Sequence, residues 1–365
     1  MTRIEDIVRY LEQIAPLAYQ EGYDNAGLVV GELATPVTGI LICLDITESV
    51  IEEAKVKNCN LIIAHHPIIF RPISKLTSEN YVGRCITHAI KQDIALYGLH
   101  TNLDNLAHGV NEQIAKTLCL DDLTVLLPKT GTLRQLTTFV PYSSVDSVLQ
   151  ALHAAGAGHM GDYTHCSFVA KGTGSFRPTS TAYPYIGTVD KPEKVEEGRI
   201  EVIFPAHLET PVLQALRATH PYEEVAYYVH KLSNTDPKVG AGMIGELPSA
   251  LHSQEFLAYL KAKMQLAYIR HTTPIGRPVK RVAVCGGSGS FLIEHAILKH
   301  ADVLVTSDVK YHDFFKADGQ MIIADIGHYE SEVGVKALIY TLLSKKFTNI
   351  VLLKCETITN PIYCL

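Results

Sequence analysis

Leu61-Ile62-Ile63-Ala64-His65-His66-Pro67 is an unbroken apolar run that ends on two histidines and a proline. Four apolar residues are strand-sized, and a run with no polar alternation reads as a strand covered on both faces. Upstream, Ile4, Ile7, Val8, Leu11 and Ile14 recur at helical spacing, the run 40–44 reads as a second buried strand with Asp45 just past its end, and a helix is expected over 50–56. Downstream, a helix near 81–90 leads to a strand at 94–99. Strands alternating with helices imply parallel βαβ units and a doubly wound α/β sheet.

After Pro128 the rhythm changes. Strand 136–140, helix 145–155, strand 166–170, strand 199–204, helix 211–219 and strand 225–230 give the order βαββαβ, a ferredoxin-like arrangement. A Gly/Pro/Thr-rich loop at 172–184 separates its halves. From Val279 the αβ alternation resumes: strand 282–285, helix 291–299, strand 303–306, a short helix near Tyr311, strand 321–325, helix 331–344 and strand 350–353. The simplest organisation is one α/β domain made of residues 1–130 and 235–365, interrupted by an α+β domain at 131–234.

Composition bounds the partners. In 365 residues, 47% are hydrophobic and 19% charged, which fits a packed globular chain rather than a disordered one. The net charge of −6 gives no electrostatic case for a general nucleic-acid binder. The apolar runs are too short for a membrane-spanning helix, and the mixed charges of residues 1–15 do not read as a secretory leader. The 8 cysteines form no CxxC pair, which argues for a reducing, cytoplasmic setting and against a thiolate zinc site. Histidine is unusually common, at 17.

Several of those histidines fall where chemistry is expected. His65 and His66 follow one strand, and Pro67 turns the chain so that both can reach one crevice. His100, Thr101 and Asp104 follow another. His328 and Glu332 follow the strand at 321–325 and, at spacing i, i+4, share a helical face. Each pair alone has an ordinary reading as a surface pair, a packed histidine or a helix cap. Their shared place beyond the carboxyl ends of parallel strands is what sets them apart, because open α/β sheets bind ligands there. His65, His66, Asp104, His328 and Glu332 make a mixed nitrogen/oxygen donor set suited to zinc, iron(II) or manganese. Five ligands exceed the three of a catalytic zinc, which points to two divalent metals bridged by a carboxylate and a water. A bridging hydroxide would then serve as nucleophile, in a chain with no Gly-x-Ser-x-Gly elbow. His100 and His312 are candidates for proton transfer or substrate contact, with a packing role equally open.

Two glycine patterns are set aside. Gly240, Gly242 and Gly245 have dinucleotide-motif spacing but no strand-to-helix context. Gly286-Gly287-Ser288-Gly289 runs from strand to helix without a following P-loop Lys-Ser/Thr, so it reads as a tight turn.

The motifs together resemble the NIF-three-like family, whose members carry the label GTP cyclohydrolase I type 2 homolog. The resemblance rests on Tyr23-Asp24-Asn25-Ala26-Gly27-Leu28, His65-His66-Pro67, His100-Thr101-Asn102-Leu103-Asp104, Thr306-Ser307-Asp308 through Tyr311-His312, and Gly327-His328-Tyr329-Glu330-Ser331-Glu332. It implies a core of parallel/mixed sheets with helices on the faces, and a dinuclear site on the same five residues, His65, His66, Asp104, His328 and Glu332. The middle segment, with Gly156-Ala157-Gly158, Tyr163, Cys166-Ser167-Phe168 and His220-Pro221-Tyr222-Glu223-Glu224, resembles the PII/CutA-like insertion of the longer bacterial members. Tyr23 departs from the Trp of many relatives. The resemblance also implies a ring-shaped homohexamer. Two functions follow as expectations: a metal-dependent hydrolase of a nucleotide or other phosphate-bearing small molecule, or a non-enzymatic metal-binding hexamer whose insertion senses a ligand.

Overall fold

The computed structural model describes residues 1–363. Its strands are β1 (Gly27–Val30), β2 (Gly39–Cys43), β3 (Leu61–Ala64), β4 (Ala95–Gly98) and β5 (Asp121–Pro128). There follow β6 (Leu133–Pro141), β7 (Phe168–Phe176), β8 (Glu193–Pro205) and β9 (Tyr227–Lys231). The last are β10 (Gly240–Leu251), β11 (Arg270–His271), β12 (Val279–Ser288), β13 (Val303–Ser307), β14 (Ile322–Asp325) and β15 (Val351–Lys354). Contacts divide the chain into one unit of Met1–Pro128 with Lys238–Leu365 and a second of Lys129–Pro237.

In the first unit the strands form two sheets, with orders β1-β4-β3-β2-β15 and β11-β14-β13-β12-β10-β5. The expected parallel βαβ rhythm holds at the centre of each: β15, β2, β3 and β4 run parallel, as do β12, β13 and β14. Antiparallel β1 closes an edge of the first sheet, and β5, β10 and β11 flank the parallel strands of the second. The sheets are mixed, as the expected core of parallel/mixed sheets has it, and the single doubly wound sheet read from the strand–helix rhythm gives way to two. The added strands were hidden because β10 is interrupted by Gly240, Gly242 and Gly245, while β11 has only two residues.

The buried strands alternate their side chains between two cores, as a period of two requires. Ile40, Ile42, Leu61 and Ile63 pack against Ile4, Ile7 and Leu11 of helix Ile4–Ile14 and against Ile339 and Leu343 of helix Val335–Lys346. On the other face, Leu41, Ile62 and Ala64 meet Val50, Ile51, Cys85 and Ala89 from helices Glu48–Val56 and Tyr81–Lys91. Thr47 and Asn80 cap those two helices by accepting from the Val50 and Gly83 amides at 3.3 and 2.8 Å. The helix expected over 331–344 is instead two helices, His328–Glu332 and Val335–Lys346, separated at Val333-Gly334. The break lets the first helix lie across a strand end while the second packs on the sheet.

The second unit contains β6, β7, β8 and β9 as a fully antiparallel sheet of order β7-β8-β6-β9. Helices Val145–Ala154 and Glu209–Thr219 bury Val148, Leu152, Val212 and Leu216 against Leu136, Ile200, Val202 and Phe204, leaving the opposite sheet face without helices.

Candidate metal centre

Three strand ends converge. The His65 and His66 amides continue the β3 ladder by donating to the carbonyls of Cys43 and Leu44 at 3.2 and 2.9 Å. His100 follows β4 and precedes the turn of helix Thr101–Asp104, and His328 opens helix His328–Glu332 after β14.

Each of the four imidazoles is oriented by an oxygen at Nδ1. His65 Nδ1–H donates to the Leu99 carbonyl at 2.9 Å, and His66 Nδ1 meets Asp45 Oδ1 at 2.6 Å. His100 Nδ1 meets Asp24 Oδ1 at 2.8 Å, and His328 Nδ1 meets Asp308 Oδ2 at 2.7 Å. An acceptor at Nδ1 fixes the tautomer and leaves the Nε2 lone pair for a ligand, as outer partners of metal-bound histidines do. These aspartates are themselves held: Asp45 accepts from the Thr359 hydroxyl at 2.6 Å, and Asp24 from the Thr101 amide at 3.0 Å and from its hydroxyl.

Glu332, only 2% exposed, lies at the centre. Its Oε2 is 2.9 Å from His66 Nε2 and 3.0 Å from His328 Nε2, while Oε1 is 3.8 Å from His65 Nε2. Asp104 Oδ1 approaches His65 Nε2 at 3.6 Å, too long for a hydrogen bond. Three groups of donor atoms are close enough to share an ion: His65, Asp104 and Glu332; His66, His328 and Glu332; and His65, His66 and His100. The fit to a cation rests on two orphans, since among the described residues buried His65 Nε2 and Asp104 Oδ1 have no hydrogen-bond partner. Leaving such atoms unpaired costs about 1–3 kcal/mol each, a cost that a cation between them removes. The turn 286–289 makes room for this cluster: Gly287 has φ +62°, and a Cβ there would overlap Glu332 Oε1. The Gly286 and Gly287 amides donate to Asn111 Oδ1 and Ser331 Oγ at 2.9 and 3.0 Å, so they serve the turn.

Electrostatics without an ion follow from the same contacts. Burial alone would raise the Glu332 carboxyl, but its hydrogen bonds with His328 and His66, with the His65 imidazole close by, hold it well below the usual range. Burial opposes charge on His66, yet Asp45 and Glu332 push it up to about 10. His328 is likewise pushed up to about 9 by Glu332 and Asp308 against the effect of burial. Burial pushes Asp104 up to about 7. Asp24, despite burial, is held down to about 2 by His100 and Thr101. Two of the imidazoles thus keep protons that an incoming metal must displace.

The cluster opens on a cleft of about 480 Å³ whose walls include Tyr23, Phe70, Tyr81 and Phe291. Among the described residues no Lys or Arg lines it. His65, His66, His100, Asp104, His328 and Glu332 are brought together. His312 is not: it is exposed, stacks edge-on against Tyr311 at 5.2 Å and lies outside the cleft lining. From that segment Asp308, with φ +55°, is the residue that reaches the site. The orienting roles of Asp24, Asp45 and Asp308 were not read from the sequence, because a single loop aspartate has no pattern. Place alone is the signal: Asp45 and Asp308 fall just past β2 and β13, and Asp24 just before β1.

The family model Duf34/NIF3 (NGG1p interacting factor 3) matches residues 2–361. A Bacillus subtilis protein called GTP cyclohydrolase 1 type 2 homolog is 39% identical over 364 residues, covering 98% of this chain and 97% of that protein. A Halalkalibacterium halodurans protein of the same name is 40% identical over 348 residues, covering 94% and 93%. The crystal structure of a Bacillus cereus protein related to NIF3 superposes with a TM-score of 0.86 at 36% identity, covering 100% of this chain and 99% of that one.

Proposed function

The chain belongs to the Duf34/NIF3 family, and from that premise we propose that it is a dinuclear metal-dependent hydrolase of a nucleotide or other phosphate-bearing small molecule. The observation that carries the reading is the division of donors about Glu332. Oε1 faces His65 and, beside it, Asp104; Oε2 faces His66 and His328. In this proposal one divalent ion would be held by His65, Asp104 and Glu332 and a second by His66, His328 and Glu332, with zinc, iron(II) or manganese matching the donors. When bound, such ions supply Lewis-acid polarisation, water activation and positive charge for a phosphate in a cleft without Lys or Arg. The chain's own groups do the rest. Asp45, Leu99 and Asp308 keep three Nε2 atoms aimed inward. His100, steadied by Asp24, is placed to hold or move a proton at Nε2. Tyr23, Phe70 and Phe291 line the cleft and would give a planar substrate apolar rings to pack against. His312 has no part in the proposal.

The test is turnover of a panel of nucleotides and phosphate esters by metal-loaded and metal-stripped protein, beside His65→Ala. Metal-dependent turnover abolished in His65→Ala supports the reading. Equal turnover by stripped and loaded protein contradicts it.

The relatives' name keeps a GTP cyclohydrolase-type reaction in the panel. A second reading, a metal-binding regulatory assembly with a ligand-sensing insertion, is favoured by one observation: the second unit has a cavity of its own. Its βαββαβ order supports treating residues 131–234 as a PII/CutA-like insertion between two halves of a metal-binding core. We also carry forward a cytoplasmic ring-shaped homohexamer, supported by the family resemblance and, for compartment, by unpaired Cys43, Cys59, Cys85, Cys285 and Cys355. Light scattering on the purified protein tests the assembly.

A further inference from the structure

The face of the second unit's sheet that carries no helices holds a cavity of about 690 Å³. That is within the roughly 300–1,000 Å³ of small-molecule sites. Its floor follows from strand register. Gly172 pairs with Glu197 and Gly174 with Val195, so Gly172, Gly174, Phe176 and Glu197 share this face. A glutamate on the uncovered face of an antiparallel sheet is ordinarily solvated, yet Glu197 is 8% exposed. The glycines make the space: a Cβ on Gly174 would overlap the Glu197 carboxylate, and one on Gly172 would project into the open.

The carboxylate has an unusual partner set. Its Oε1 accepts from the Tyr222 hydroxyl at 2.9 Å, and among the described residues no Lys or Arg pairs with it. His220, nearby, is engaged elsewhere: Nε2–H donates to the Phe139 carbonyl at 2.9 Å and Nδ1 accepts from the Tyr222 amide at 3.1 Å. Around it stand aromatic rings, with Tyr222 at 6.0 Å from Phe176 and 6.4 Å from Tyr185 between centroids. Three cations also border the cavity, but each is paired away from Glu197. Lys171 lies 2.7 Å from Glu196 and over the Tyr142 ring, Arg177 lies 3.8 Å from Asp190, and Arg199 pairs with Glu201. The buried group without a basic partner is therefore a carboxylate, and aromatic rings, whose faces attract cations, line the cavity beside it.

We propose that this cavity binds a small organic cation, an amine or guanidinium on an apolar or aromatic body, with its charge on Glu197 and its body against Tyr222, Phe176 and Tyr185. The site does not depend on the metal centre, and its failure would leave the hydrolase reading where it stands.

Calorimetric titration of the full chain tests it, with phenethylamine and benzyltrimethylammonium as cations, 2-phenylethanol as the neutral analogue and phenylacetate as the anion. The expected result is one cation per chain, with the alcohol and the carboxylate weaker by about tenfold or more, as loss of a charge-assisted contact implies. Glu197→Gln should lower phenethylamine to the level of the alcohol while melting with the wild type. If that variant does not fold, the ranking on the wild-type chain decides alone. Failure of both cations to bind, phenylacetate binding as tightly as the amine, or unchanged amine affinity in a folded Glu197→Gln protein would each overturn the proposal.

Discussion

The two cavities solve opposite problems with the same device. In each, a glycine gives up its side chain so that a buried glutamate can stand where a Cβ would otherwise be: Gly287 for Glu332 and Gly174 for Glu197. Around Glu332 the neighbours are imidazoles whose far nitrogens are already committed, so the open valences point inward at one another. Around Glu197 the neighbours are aromatic rings and one phenol, and the available cations are paired elsewhere. A cluster of inward-facing nitrogens and carboxylate oxygens could hold a bare metal ion, whereas one buried carboxylate beside rings suits a charge that brings its own apolar body. A buried glutamate is thus not informative by itself; the atoms left without partners around it are.

The largest effect should come from the shared ligand. Glu332→Ala removes a donor from both metal groups, so metal content should fall from about two per chain to near none. Retention of half the metal would show that one ion never used Glu332. Acidity gives the next effect. In the metal-free protein, His66 at about 10 and His328 at about 9 lie above the ordinary imidazole value of 6.5. Their contribution to stability is complete below 6.5 and is lost as the pH climbs through 9 to 10. Melting temperature of the stripped protein should therefore fall over that window, while the gain on adding metal grows as the competing protons leave. A metal-induced gain that shrinks from neutral to alkaline pH would break the comparison.

Smaller still is the loss of one orienting group. Asp308→Asn keeps the size of the side chain that holds His328 and should weaken metal affinity about 10–100-fold, with the fold unchanged. Chelator competition measures it, and an unchanged affinity would mean that His328 needs no support. The smallest effect belongs to the rim of the other cavity. Arg177→Ala breaks an exposed pair worth at most about 1 kcal/mol. Melting, metal content and amine affinity should all stay near wild type; a marked loss of amine binding would make the rim part of the recognition.

Much of the first region was legible in the sequence because its signals are local. Apolar runs such as 61–64 announce buried parallel strands, and the residues just beyond them fall at the crevice by geometry, which is how His65, His66, Asp104, His328 and Glu332 were chosen. What was not legible is long-range. The separation into two sheets depends on β15 pairing with β2 and on β5 and β10 flanking β12, none of which has a sequence pattern of its own. His312 was suggested by its motif, but the left-handed turn at Asp308 sends the aspartate inward and leaves the histidine outside. The second cavity left almost no trace: Gly172-Thr173-Gly174 read as part of a loop, whereas it lies within β7, and only register with β8 sets those glycines beside Glu197.

Anomalous diffraction from crystals of the metal-loaded protein decides whether Glu332 lies between two ions, as proposed. Two peaks are expected to flank the Glu332 carboxylate, one beside His65 and Asp104 and the other beside His66 and His328. A single peak, or none after loading with zinc, iron(II) and manganese in turn, would contradict it.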